Sequence, residues 1–113
     1  MILWDIQNRR GEGCYTTVGR FSGRNVLMLE TNQWLLCLVF PTVIHELLHV
    51  AGLWHEQMRY DRDKYIKVHY ENIVRGTASQ FEKVPEYASS TYNVKYDYKS
   101  VMHYKKDAFS RAA

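Results

Sequence analysis

The stretch HELLHVAGLWHE, His45 to Glu56, constrains this chain more than any other, because three of its five histidines share it with a glycine. Thr42 to Ala51 carries apolar residues at Val43, Leu47, Val50 and Ala51 with no breaker inside. That pattern predicts a helix started by Pro41 or Thr42 and stopped by Gly52. On such a helix His45 and His49 lie one turn apart on one face. Gly52, which can take a positive φ, ends the helix and turns the chain sharply, bringing His55 back toward the same point.

Three neutral imidazoles converging there suit a tetrahedral zinc ion with one position open to water, whose pKa the metal lowers to about 7. Glu46, beside the first ligand and about 100° round the helix, is long enough to reach that water. It is the candidate general base, taking the proton as water attacks a carbonyl and passing it to a leaving amine. The implied reaction is peptide-bond hydrolysis. Five histidines and seven glutamates would produce HExxH by chance in roughly one such chain in a hundred, and the glycine and third histidine lower that to about one in thirty thousand. Any one of these histidines alone would be read as a core residue; the set argues for a metal site.

The rest of the composition narrows the class. At 113 residues, 46% hydrophobic and 24% charged with two prolines, the chain has the profile of one globular domain. Its net charge of +3 is scattered, with no basic run longer than two, which excludes the basic stripe of a nucleic-acid binder. The longest apolar run, Trp34 to Pro41, is too short to span a bilayer, so no transmembrane segment is expected. The start, MILWDIQ, has neither the basic region nor the long apolar region of a signal peptide. Cys14 and Cys37 fit a disulfide and a pair of buried thiols equally well on count alone.

Ile2 to Gln7 reads as a strand, Cys14 to Arg20 as a second, Phe21 to Arg24 as a turn, and Asn25 to Glu30 as a third strand antiparallel to the second. Beyond Gly52 the pattern predicts a short extended piece at Tyr65 to Val68, a helical turn or two at Ala78 to Lys83, and an extended loop over Glu86 to Ser100.

With HELLHVAGLWHE followed by RYDRD and SVMHY, and preceded by GCYTTVGR and SGRNVLMLE, the chain resembles the astacin family of zinc metallopeptidases, a branch of the metzincins. The likeness runs from about Gly13 through Ser110. It implies an α+β, metzincin-like zincin core, a small mixed sheet with an active-site helix. Residues 1–113 would then be a partial catalytic domain, truncated at both ends: the family's opening strand and helix have no counterpart before ILWDIQ, and its C-terminal part lies beyond Phe109. The resemblance implies a zinc endopeptidase acting on peptides or proteins, with one zinc per chain held by His45, His49 and His55, and Glu46 as base.

It also gives roles to residues that would otherwise pass unremarked. Met102 in SVMHY matches the methionine that forms a hydrophobic floor beneath the metal. Tyr104 matches a tyrosine that ligates zinc in the resting enzyme and swings away to hydrogen-bond the oxyanion; without the resemblance it is one of nine tyrosines and reads as packing. His103 has no ligand role. Asn25 to Glu30 matches the edge strand on which substrate lies as an added antiparallel strand. Cys14 and Cys37 match a disulfide pair, implying an oxidising compartment and secretion. Arg59, Asp61, Arg62 and Asp63 match a charged run expected to form ion pairs on the surface, and Glu56 matches a residue that binds the new N-terminus after pro-peptide removal.

The segment TNQWLLCLVFPT departs from the family's glycine-rich approach to Cys37, leaving Trp34, Leu35, Leu36, Leu38, Val39 and Phe40 in need of a partner surface. Two functional readings follow: an active or once-active zinc endopeptidase, and a truncated product that binds zinc without cleaving, with a binding or regulatory role.

Overall fold

Leu27, Met28 and Leu29 are buried in succession, the pattern of a strand covered on both faces. They belong to β3 (Gly23–Leu29), the middle strand of a three-stranded sheet ordered β1-β3-β2, with β1 spanning Ile2–Gln7 and β2 Cys14–Thr16. β1 runs parallel to β3, pairing Ile2 with Gly23 through Gln7 with Met28, and β2 runs antiparallel, pairing Cys14 with Leu29 and Thr16 with Leu27. The sheet is therefore mixed. The expectation that Asn25 to Glu30 is an edge strand able to accept a substrate is corrected here: β3 is the middle strand, paired with β1 over Gly23 to Met28 and with β2 over Leu27 to Leu29, so Leu27 and Met28 already have a ladder partner on each side.

The structure, a computed structural model, describes residues 1–111, and the chain divides into two units, Met1–Leu53 and Trp54–Ala113. The first holds the sheet and α1, the helix Phe40–Val50. Leu27, Leu29 and Cys37 form its buried cluster, with Cys14 and Val43 packed against them. Cys14 and Cys37 are joined in a disulfide. Burying a leucine contributes about 1.5–3 kcal/mol, and closing a loop with a sequence separation of 23 contributes roughly 3 kcal/mol in the chain-entropy picture. In so small a core the bridge matters as much as a large apolar side chain.

β2 ends at Thr16, short of the expected Arg20. Gly19 has φ of +81°, outside the extended region, and its N–H donates to the carbonyl of His49 at 2.8 Å instead of to a ladder partner. The chain there is recruited to the end of the helix. Helix α1 begins two residues before Thr42, with Val39 as its extended N-cap and Pro41 in the first turn, where the missing proline N–H costs nothing. Leu47, expected on the apolar face, is 44% exposed. Trp34 and Phe40 are 84% and 80% exposed, and of the segment from Trp34 to Phe40 Cys37 alone is buried.

The helix stops as the glycine predicts, at a Schellman motif. Gly52 N–H donates to His49 O at 2.9 Å and Leu53 N–H to Leu48 O at 3.0 Å, the two bonds that close such a cap. Gly52 sits at φ +101°, where a Cβ is strained.

A buried carboxylate shapes the loop leading into β2. Glu30 accepts hydrogen bonds from the N–H groups of Gly11 (2.9 Å) and Gly13 (2.8 Å) and from Asn32 Nδ2 (2.6 Å). The Gly13 N–H first, then that of Gly11, hold its carboxyl below the ordinary 4.5.

The second unit contains no strand among its described residues, only five 3-10 turns, at Glu56–Met58, Arg62–Lys64, Tyr70–Asn72, Ala78–Phe81 and Glu86–Ala88. Tyr65 to Val68, expected as an extended piece, is irregular; with no strand beside it, its backbone has no ladder to join. Ala78 to Lys83 is helical only as far as Phe81, because Glu82 returns to extended geometry. The Glu86 to Ser100 loop is not uniformly extended: it opens with a 3-10 turn and bends at Tyr92 and Asn93, whose φ values are +49° and +58°. It then buries Tyr96. No helix among the described residues is long and apolar enough to cross a membrane.

Both the helix stop and the buried carboxylate can be measured. Gly52→Ala meets no atom within 4 Å of its new Cβ, so its cost is conformational, about 1–2 kcal/mol, seen as a lowered urea midpoint with unchanged slope. Glu30→Gln destabilises the chain at pH 7. Because the native carboxyl titrates below its unfolded value, the wild-type advantage is full above that value and vanishes as pH falls through the native pKa. Denaturation of both proteins at pH 7 and pH 3 checks this, with a smaller difference between them at the lower pH.

Candidate metal centre

His45, Glu46 and His49 all stand on α1. The i, i+4 spacing brings His45 Nε2 and His49 Nε2 to 3.1 Å, with the rings edge to face at a centroid distance of 4.7 Å. His49 Nδ1 lies 2.7 Å from the carbonyl oxygen of Leu53. A carbonyl only accepts, so Nδ1 carries the proton and Nε2 of the neutral ring presents a lone pair. Burial pushes the His49 pKa down, with a smaller contribution from His45 in the same sense and opposition from the Leu53 carbonyl. Both effects of location favour the neutral imidazole that a metal requires. The helix stop thus has a second consequence: the turn at Gly52 aims the Leu53 carbonyl at the ring it orients.

His55 follows three residues after that turn, in extended geometry at the start of the 3-10 turn Glu56–Met58. One ring nitrogen from each of His45, His49 and His55 lies within 4.8 Å of the other two. Ligands bound tetrahedrally to zinc at about 2.0–2.1 Å stand roughly 3.3 Å apart, and the helical pair, at 3.1 Å, is already near that spacing. Glu46, also buried, has one carboxylate oxygen, Oε2, with no hydrogen-bond partner among the described residues. Desolvation raises its pKa. Three imidazole nitrogens beside an unsatisfied carboxylate oxygen fit a zinc site.

The second unit arranges its expected residues around His55. Met102 is buried; its carbonyl accepts the Glu56 N–H at 2.9 Å, and its own N–H donates to Ser100 Oγ at 3.1 Å. The Tyr104 ring lies 4.6 Å from the His55 ring, and its hydroxyl donates to Gln80 Oε1 at 3.3 Å. Burial raises the Tyr104 pKa, keeping the phenol protonated. His103 is occupied at both nitrogens, Nδ1 by the Tyr104 carbonyl and Nε2 by the Tyr96 hydroxyl, each at 2.7 Å. Glu56 Oε1 accepts from Arg59 Nη1 at 3.0 Å and from the Asp97 N–H at 2.9 Å.

The charged run forms the expected ion pairs: Arg59 with Glu56 and Asp61, Arg62 with Asp63, and Asp63 with Lys83. The surface placement is corrected for Arg62, which is 3% exposed. It donates to the carbonyls of Gln57 (2.7 Å) and Phe81 (2.8 Å) and to the Tyr70 hydroxyl at 3.1 Å, acceptors that justify burying a guanidinium. Gln57, buried between the third histidine and this run, accepts the Tyr104 N–H at 3.1 Å. Sequence reasoning passed over it; its only signal was its place two residues after His55.

The model of the astacin peptidase family matches residues 5–113. The chain belongs to the astacin family. Among curated relatives, zinc metalloproteinase nas-5 of Caenorhabditis elegans is 53% identical over 107 residues, covering 95% of this chain and 30% of that protein. Zinc metalloproteinase nas-7 of the same organism is 45% identical over 100 residues, covering 88% of this chain and 25% of that protein. Among solved structures, high choriolytic enzyme 1, a hatching enzyme zinc-protease from the medaka Oryzias latipes, superposes with a TM-score of 0.87 at 36% identity, covering 98% of this chain and 52% of that one. The mixed sheet, active-site helix and histidine group are thus the astacin arrangement, and the chain spans about a third or less of these two curated relatives.

The unsatisfied Glu46 oxygen has a measurable cost. Replacing Glu46 with methionine, of similar length and with no polar atom to satisfy, stabilises the metal-free chain by about 1 kcal/mol. Urea denaturation in the presence of a chelator reads the shift; an equal or lower midpoint would show the carboxylate is satisfied in solution.

Proposed function

We propose that the chain is the metal-binding part of a zinc-dependent endopeptidase catalytic domain, with one zinc held by His45, His49 and His55, Glu46 as general base and Tyr104 as oxyanion donor. The observation that carries the reading is the approach of three imidazole nitrogens within 4.8 Å beside a buried carboxylate oxygen with no partner. Zinc, when bound, supplies Lewis acidity that polarises a peptide carbonyl and lowers the pKa of a coordinated water to about 7.

The chain's own residues supply the rest. Glu46, drawn from water by the fold, accepts a proton at Oε2 as the water oxygen adds to the carbonyl carbon, and returns it to the amine nitrogen as the C–N bond breaks. Tyr104, protonated and hydrogen-bonded to a neutral amide at Gln80, turns its O–H to the developing oxyanion. The His49–Leu53 hydrogen bond fixes the ring against rotation and keeps Nε2 unprotonated. Substrates are peptides or proteins. The Cys14–Cys37 disulfide and the family together favour an oxidising compartment, hence a secreted protein.

A second reading, a zinc-binding fragment that does not cleave and serves in binding or regulation, is favoured by the uncovered apolar residues from Trp34 to Phe40. One experiment separates the two. The peptidase binds one zinc per chain and cleaves an unstructured peptide; Glu46→Ala retains the zinc and loses at least about a hundredfold in kcat. Zinc bound without cleavage leaves the second reading, and no zinc at all overturns both.

A further inference from the structure

We propose that Gln57 is a positioning residue for Tyr104, and that the buried Arg62 guanidinium fixes Gln57 in that task. Resting on the reading of Tyr104 as oxyanion donor, the inference adds a residue that reaches the reaction only through the tyrosine. Gln57 is 2% exposed. Its side-chain oxygen accepts the Tyr104 N–H at 3.1 Å across 47 residues of chain, and its own backbone carbonyl is held by Arg62 Nη1 at 2.7 Å. The side chain is thus tied at its root by a cation and at its tip to the tyrosine backbone.

The same Nη1 binds the Phe81 carbonyl at 2.8 Å, and the Phe81 ring packs edge-on against the Tyr104 ring at a centroid distance of 5.8 Å. Arg62 therefore sets both the strut behind the Tyr104 backbone and one wall beside its ring. A further ring contact is His55, at 4.6 Å. A phenol that must move its hydroxyl while keeping its Cα in place needs a fixed backbone and a loose tip. The structure supplies both, since among the described residues the hydroxyl has only a long 3.3 Å bond to Gln80.

The other end of the Gln57 amide shows why this is not a packing role. Nε2 is buried with no partner among the described residues, a cost that an apolar side chain of the same length would remove. The Tyr104 N–H fixes the amide orientation, because only an oxygen can accept from it. A residue that holds the tyrosine needs the oxygen and tolerates the stranded nitrogen.

Gln57→Met removes the acceptor and keeps the volume. The test compares wild type, Gln57→Met, Tyr104→Phe and the double variant as zinc-loaded 113-residue chains, by amide hydrogen exchange and by peptide cleavage. In Gln57→Met the Tyr104 amide is expected to lose protection about tenfold. The Glu56 amide, bonded to Met102 O, keeps its protection, zinc content is unchanged and the urea midpoint does not fall. For cleavage, kcat drops about tenfold with KM within about twofold, and the substitution adds little on the Tyr104→Phe background. Unchanged Tyr104 protection, or a full additive loss in the double variant, overturns the inference. If Tyr104→Phe cleaves like wild type, the oxyanion role fails instead, and the exchange data alone decide whether Gln57 positions the tyrosine. Should Gln57→Met fail to fold, Gln57→Glu keeps an oxygen at the same place; retained Tyr104 protection there supports the strut, and its loss refutes it.

Discussion

A helix that carries His45 and His49 offers a metal two imidazoles on one face and no more. Continued as helix, the chain would place His55 about 240° round the axis from His49, facing away from the ion. The approach of the third imidazole depends on the helix ending between them, and the ending depends on one backbone torsion, the φ of +101° at Gly52. The two Schellman bonds stabilise that torsion. They satisfy helix carbonyls that would otherwise need water, and they deliver the Leu53 carbonyl to His49 Nδ1. Stop signal, third imidazole and tautomer control come from one short turn.

Much of this was legible because its causes are local. The His45 and His49 spacing, the stop at Gly52 and the identity of the first strand follow from periodicity and from the conformations that glycine and proline allow. The disulfide and the place of Tyr104 near His55 were legible only through family likeness, since nothing about Cys37 or one tyrosine among many announces a partner many residues away. What escaped was long-range pairing. Asn25 to Glu30 looks like an edge strand until Ile2 to Gln7 is seen alongside it in parallel, and a parallel partner leaves no turn signal between the two strands. Arg62 looks like a surface cation until the carbonyls of Gln57 and Phe81 are known to wait for it inside.

Two buried polar residues set chemistry against stability. Among the described residues Glu46 Oε2 and Gln57 Nε2 lack partners, and each carries a desolvation cost. Glu30 is the contrast: equally buried, but satisfied by two backbone N–H groups and an amide, it shapes a loop and has no reagent-like features. The difference between an unsatisfied and a satisfied carboxylate separates the candidate reagent from the scaffold. The Cys14–Cys37 disulfide and the Leu27 and Leu29 cluster offset that cost in the unit that carries Glu46.

Zinc-edge X-ray absorption on the chain loaded with one equivalent of zinc addresses the convergence of the imidazoles most directly. Three histidine nitrogens at about 2.0–2.1 Å are expected in the first shell, falling to two in His55→Ala. A wild-type shell containing two imidazoles or fewer, or one unchanged by removing His55, would contradict the claim that the turn at Gly52 brings the third ligand to the ion.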